Sequence, residues 1–156
     1  MEREEHMRRA LAMAREAAEA GEVPVGAVII NASGAVIGKG RNRREERRSA
    51  VHHAEIEAIE QACAYLGTWR LDGCSLYVTL EPCPMCAGAV INARIPTLVY
   101  GAKEPMTGSC GSVLNLFEER YGFKPAIYGG VLAEECAAVL SDFFENVRNQ
   151  KIGGSS

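Results

Sequence analysis

The chain predicts a three-layer α/β domain built on a mixed sheet. Two observations carry this. Helix-period and strand-type segments follow one another in the order αββαβαβ(β)α, with helices between strands, and no repeat, linker or low-complexity tract divides them. At 156 residues the chain has the size of one domain with a full hydrophobic core.

The elements justify themselves in order. Residues 2–20 read as a helix because Met7, Leu11, Ala14 and Ala18 recur at helical spacing, with Glu and Arg on the other faces. Gly21 stops it. Residues 25–30 are a short apolar strand, 31–34 supply turn chemistry, and 35–38 begin the return strand of a hairpin. A polar loop covers 41–49. A second helix is expected over 50–66, with Ile56, Ile59, Ala62, Cys63 and Leu66 inward and Gly67 at its end. Residues 75–80 alternate as a strand does. Residues 83–93 form a helix whose Ala87, Gly88 and Ala89 allow close approach to the sheet. A strand over 97–100, a glycine-containing loop over 104–111, a helical turn within 113–120 and a short strand at 126–128 lead to a terminal helix over 132–150. The expected domain is 1–152, with 153–156 a flexible tail or expression scar.

Composition narrows the class. Apolar residues make up 47% of the chain and the net charge is −3, so the surface as a whole is not built to attract polyanions. Residues 39–48 depart from that balance with six basic and two acidic side chains, enough to meet phosphates locally. The longest apolar run is far short of a membrane span, and the charged start lacks the apolar segment of a signal peptide, so a cytoplasmic setting without membrane contact is the default expectation. In such a setting the six cysteines argue for metal or buried thiols rather than a disulfide framework.

The chemistry centres on two segments. Residues 79–86, Thr-Leu-Glu-Pro-Cys-Pro-Met-Cys, read as a strand that turns at proline and opens a helix with Cys83 and Cys86 one turn apart. Two thiolates at that spacing can hold a soft or borderline cation. Alone, the pair is ambiguous between metal, redox chemistry and chance. Thirty residues earlier stands His53-Ala54-Glu55, and a His-x-Glu followed by Pro-Cys-x-x-Cys is the signature of zinc-dependent nucleobase deaminases. His53, Cys83 and Cys86 give three protein ligands, the number of a catalytic zinc site with one position open to water. Glu55 is expected to shuttle protons rather than bind the metal. Residues two apart on a regular helix do not share a face, so His53 and Glu55 converge only if they lie at a helix start. His52 is expected on the helix surface or behind the site. Cys63, Cys136, Cys74 and Cys110 are expected to be structural, Phe143 and Phe144 to be core, and His6 to be solvated.

With those residues in view, the chain resembles the bacterial tRNA-specific adenosine deaminases, which convert the wobble adenosine of a tRNA to inosine. The likeness covers about residues 5–150. It includes Glu22-Val23-Pro24-Val25-Gly26-Ala27-Val28, Asn42, the metal segment through Ala89, residues 108–116, and residues 130–136 and 142–144. The resemblance implies a cytidine-deaminase-like α/β/α sandwich around a five-stranded mixed sheet and a homodimer with each site near the partner subunit. It implies one zinc per chain on His53, Cys83 and Cys86, with Glu55 as proton shuttle and Val23, Pro24 and Asn42 lining the nucleoside pocket. A tRNA anticodon stem-loop would be the partner, with Arg41, Arg43, Arg44, Arg47, Arg48 and Lys103 placed to meet its backbone. One four-residue segment and two single positions depart from the family pattern. Ser49-Ala50-Val51-His52 stands where Asp-Pro-Thr-Ala is usual, Ala18 replaces an aromatic residue, and Met106 occupies a position that is often basic. Ser49 is still expected to cap the second helix. Two other functions share the motif: a free-base or nucleoside deaminase of guanine or cytosine type, and a zinc-stabilised binding domain without catalysis. Glu55 argues against the last, since a purely structural site needs no acid–base residue.

Overall fold

The computed structural model describes residues 2–154, with side chains through Gln150. The elements are α1 (Glu2–Glu19), β1 (Gly26–Ile30), β2 (Val36–Arg41), a one-turn α2 (Arg44–Arg47), α3 (Ala54–Leu66), β3 (Ser75–Leu80), α4 (Pro84–Ala93), β4 (Thr97–Ala102), a 3-10 turn (Leu116–Glu118), β5 (Ala126–Tyr128) and α5 (Ala133–Gly154). One five-stranded sheet runs β2-β1-β3-β4-β5. β1 is antiparallel to β2 and β3, while β3, β4 and β5 are parallel. The expected mixed, three-layer sandwich is therefore the observed one.

Period-two alternation explains why both faces are covered. Ala27, Ile29, Leu76, Val78 and Leu98 point to one side and pack with Ala58 and Ala62 of α3 and Val90 and Ile91 of α4. Val28, Ile30, Tyr77 and Val99 point to the other and pack with Met7, Ala10 and Leu11 of α1 and Cys136 of α5. No helix among the described residues is long and apolar enough to cross a membrane.

Several local expectations change. The second helix starts at Ala54 rather than residue 50, and His53, with φ −82° and ψ 159°, is its N-cap. Ser49 does not cap it; its hydroxyl accepts from the Val51 amide in the preceding turn. The loop over 41–49 contains α2, whose second and third amides, those of Glu45 and Glu46, are taken by the buried carboxylate of Glu22. His6 is buried and stands edge-on to Tyr77, with ring centroids 5.1 Å apart, so it is a packed residue and not a solvated one. The terminal helix lies on the sheet by a narrow stripe: Cys136 is buried, but Phe144 is 46% exposed and stacks edge-to-face on Phe143. This helix continues through Gly154, across the expected boundary at 152, and Ser155 and Ser156 lie outside the described residues.

β2 meets α3 more closely than any side chain permits. A Cβ on Gly40 would run into the Ala54 carbonyl at the first turn of α3, and one on Gly38 into the Ala58 carbonyl a turn later. That contact sets the height of the α3 start above the sheet. Gly40→Ala should lower Tm by roughly 3–10 °C, from an overpacking cost of about 1–3 kcal/mol. A calorimetric scan with Tm unchanged would show that the two elements separate without penalty.

Candidate active site

Two helix starts meet at one point. His53 and Cys83 are both N-caps, held in extended conformation before α3 and α4 respectively. Glu55 and Cys86 sit two and three residues after these N-caps, in the first turns, beyond Ala54 and beyond Pro84-Met85. Because His53 lies outside the helix, the rule that residues two apart diverge does not apply, and its ring and the Glu55 carboxyl turn to the same side. Pro84 favours the start of α4, where its missing N–H costs nothing.

The donors fit a single cation. His53 Nδ1 stands 3.6 Å from Cys83 Sγ and 3.6 Å from Cys86 Sγ, and the three donor atoms lie within 4.8 Å of one another. A tetrahedral zinc ion with bonds of about 2.3 Å to sulfur and about 2.0–2.1 Å to nitrogen spaces those two donors by about 3.6 Å. The protonation pattern agrees. A hydrogen bond from the Cys86 thiol, helped by His53, brings the Cys83 thiol down to about 4. Cys86, which gives that bond and is buried, is pushed strongly up. The His53 imidazole is raised chiefly by its bond to Cys83.

Glu55 is 3% exposed, and burial pushes its carboxyl up to about 7. It lines a cleft of about 170 Å³ together with His53, Cys83, Asn42, Val23 and Val25. Asn42 is buried and fixed at both ends: its Nδ2 donates to the Val23 carbonyl (3.2 Å) and its Oδ1 accepts from the Arg44 amide (3.1 Å). An amide has two donors and two lone pairs, so one of each stays available for a nucleoside. Of the expected pocket residues, Val23 and Asn42 line the cleft; Pro24, between two residues that do, is buried and does not. Cys110 is half-buried and packs against the core, outside the cleft.

One wall has no counterpart in the sequence reading. Glu104 and Thr107 line the cleft from the loop after β4, and Glu81 lines it from the turn before Cys83. Glu81 is 2% exposed and accepts from the amides of Glu104 (3.1 Å), Cys110 (2.9 Å) and Ser112 (3.1 Å) and from the Ser112 hydroxyl. These bonds, with burial opposing them, hold its carboxyl below the usual range. Ser109 N also donates to the Pro82 carbonyl at 2.9 Å, so the loop is fastened directly to the cysteine segment. Gly108 is part of the same fastening: a Cβ there would run into the Glu104 carbonyl and the Glu81 carboxylate.

The basic loop divides in two. Arg41 is buried and binds Glu46 through Nη2 at 2.8 Å; Arg43 binds Glu57 through Nε at 2.6 Å and Glu46 through Nη1 at 2.9 Å. Both are internal struts and not phosphate contacts. Arg44, Arg47 and Arg48 are exposed and make no ion pair among the described residues, and Arg44 lines the cleft.

Comparisons with known proteins place the chain in a family. The MafB19-like deaminase family model matches residues 1–148. The tRNA-specific adenosine deaminase of Bacillus subtilis (strain 168) is 47% identical over 147 residues, which are 94% of this chain and 91% of that relative. A solved structure from work on A-to-I editing by tRNA:A34 deaminases at the wobble position of transfer RNA superposes with a TM-score of 0.83 at 44% identity, covering 87% of this chain and 99% of that one. The guanine deaminase of Nitrosomonas europaea superposes with a TM-score of 0.80 at 29% identity, covering 90% and 83%. This chain belongs to the MafB19-like deaminase family and to the tRNA-specific adenosine deaminases.

Proposed function

We propose that the protein hydrolyses the wobble adenosine of a tRNA to inosine, releasing ammonia from C6, with one zinc ion held by His53, Cys83 and Cys86. The observation that carries this reading is the buried Glu55 carboxyl beside those three donors on the floor of a cleft that also contains Asn42. The activity is assigned to one domain, residues 1–152, working as a homodimer in the cytoplasm, as the family resemblance supports.

Zinc supplies Lewis-acid activation of the attacking water when bound. The chain's residues do the rest. Glu55 takes a proton from water at a carboxylate oxygen, gives it to N1 of the ring, and carries the second proton to the departing amine. Its raised carboxyl suits it to exchange protons near neutral pH. Asn42 orients the nucleoside with its free N–H and lone pair, and Val23 closes the side of the cleft. A wobble base is already unpaired, so turning it into the cleft has a small unstacking cost. Arg44, Arg47, Arg48 and Lys103 are the exposed cations left to meet the flanking phosphates.

Three measurements test this. Purified protein should contain near-stoichiometric zinc by elemental analysis, and Cys83→Ala should lose most of it; full zinc in that variant would remove Cys83 from the ligand set. Glu55→Ala should keep its zinc and fold while turnover falls by at least about 10²–10⁴-fold; an active variant would exclude the shuttle. An anticodon stem-loop with adenosine at the wobble position should be converted to inosine, and replacing Arg44, Arg47 and Arg48 by glutamate should flatten the slope of log affinity against log salt by about 2, at roughly 0.7 per single-stranded phosphate contact. Efficient turnover of guanine or cytosine with the stem-loop unmodified at low salt would assign the chain to the free-base deaminases.

A further inference from the structure

We propose that Glu57, with His52 and Arg43, forms a positioning clasp that fixes the nucleoside-binding Asn42 and the metal-side His53 relative to each other. The proposal rests on the function given above. It concerns the segment where this chain has Ser49-Ala50-Val51-His52 in place of the usual family pattern.

Glu57 stands in the first turn and a half of α3, and its two oxygens bind three separate places. Oε1 accepts from the Arg41 amide at 3.3 Å. Oε2 accepts from Arg43 Nε at 2.6 Å and from His52 Nε2 at 2.7 Å. A carboxylate only accepts, so Nε2 of His52 carries a proton in this arrangement. Arg41 and Arg43 flank Asn42, and His52 precedes His53. One carboxylate therefore holds the residue before Asn42, the residue after it, and the residue before the metal-side histidine. The Arg43 amide also donates to the His52 carbonyl at 3.1 Å, which joins the same two segments through the backbone.

Burial makes the clasp stiff. The side chains of Arg43, Glu57 and His52 are 20%, 18% and 19% exposed. Arg43 and Arg41 also share Glu46, at 2.9 and 2.8 Å, so the guanidinium groups are oriented from both sides. None of the three clasp side chains lines the cleft. Each acts through its chain neighbour, as partners behind a ligand commonly do. His52 is thereby assigned a place: it is neither a metal ligand nor a solvated surface residue.

The test uses the full-length protein with Glu57→Gln, His52→Ala and the double variant, each assayed well below its own melting temperature. Three quantities are measured: kcat and KM on the stem-loop, the visible absorption spectrum of the cobalt-substituted protein, and Tm. The clasp predicts a loss of kcat/KM of about tenfold or more in each single variant. It predicts a double variant little worse than Glu57→Gln alone, because His52 acts through Glu57. It also predicts a shift of the cobalt bands, which report the geometry of His53. A purely structural role lowers Tm and leaves the cobalt spectrum and kcat/KM of the folded protein where they were, and that result would overturn the proposal. If Glu57→Gln does not fold, His52→Ala decides by the same criteria. If the parent protein does not act on the stem-loop, the functional reading falls, and the cobalt spectra alone decide the clasp: shifted bands support it and unchanged bands overturn it.

Discussion

The site depends on one constraint: two helices begin where their preceding residues are still extended. His53 and Cys83 are N-caps, and only in that position can a side chain project past the helix end and meet donors from the next turn. Everything around them maintains this. The sheet sets the level of β3 and hence of the turn into α4. Gly40 lets β2 lie against the α3 start, where a side chain would force the two apart. Extended N-caps also aim the amides and partial positive charge of both helix ends at the same point, which favours thiolate and other anionic groups there.

Much of this was legible in the sequence, and the reason is chemical. The strand at Ser75–Leu80 and the helix over residues 84–93 follow from alternation, a proline and small residues, all local signals. His53, Glu55, Cys83 and Cys86 stood out because few tasks other than metal chemistry need that set of side chains at that spacing. The start of α3 was not legible, since residues 50–53 carry no glycine or proline to break a helix. Tertiary bonds, such as the one between Arg43 N and the His52 carbonyl, hold that segment out of the helix. Such contacts are invisible in a linear pattern.

The arginine loop shows a second limit. Composition alone makes Arg41, Arg43, Arg44, Arg47 and Arg48 equivalent, yet two of them are occupied by Glu46 and Glu57 and three face outward. The acidic partners come from different elements, one from α2 and one from α3, and no charge count distinguishes a strut from a free cation. Glu81 was overlooked for a related reason. It lay inside the most informative stretch of the chain, but its partners are backbone amides some 23 to 31 residues away.

Glu81's grip on the loop after β4 has a consequence for how such a protein diversifies. The carboxylate binds the Glu104, Cys110 and Ser112 amides, so the loop's path depends little on most of its side chains. Met106 is 84% exposed on that loop, and Val113 and Leu114 follow it at 56% and 47%. Substitutions at these positions leave the fastening intact. The outer face of this loop can drift while its fastening beside the cysteine segment is held constant, so the surface and the site floor are free to change at different rates.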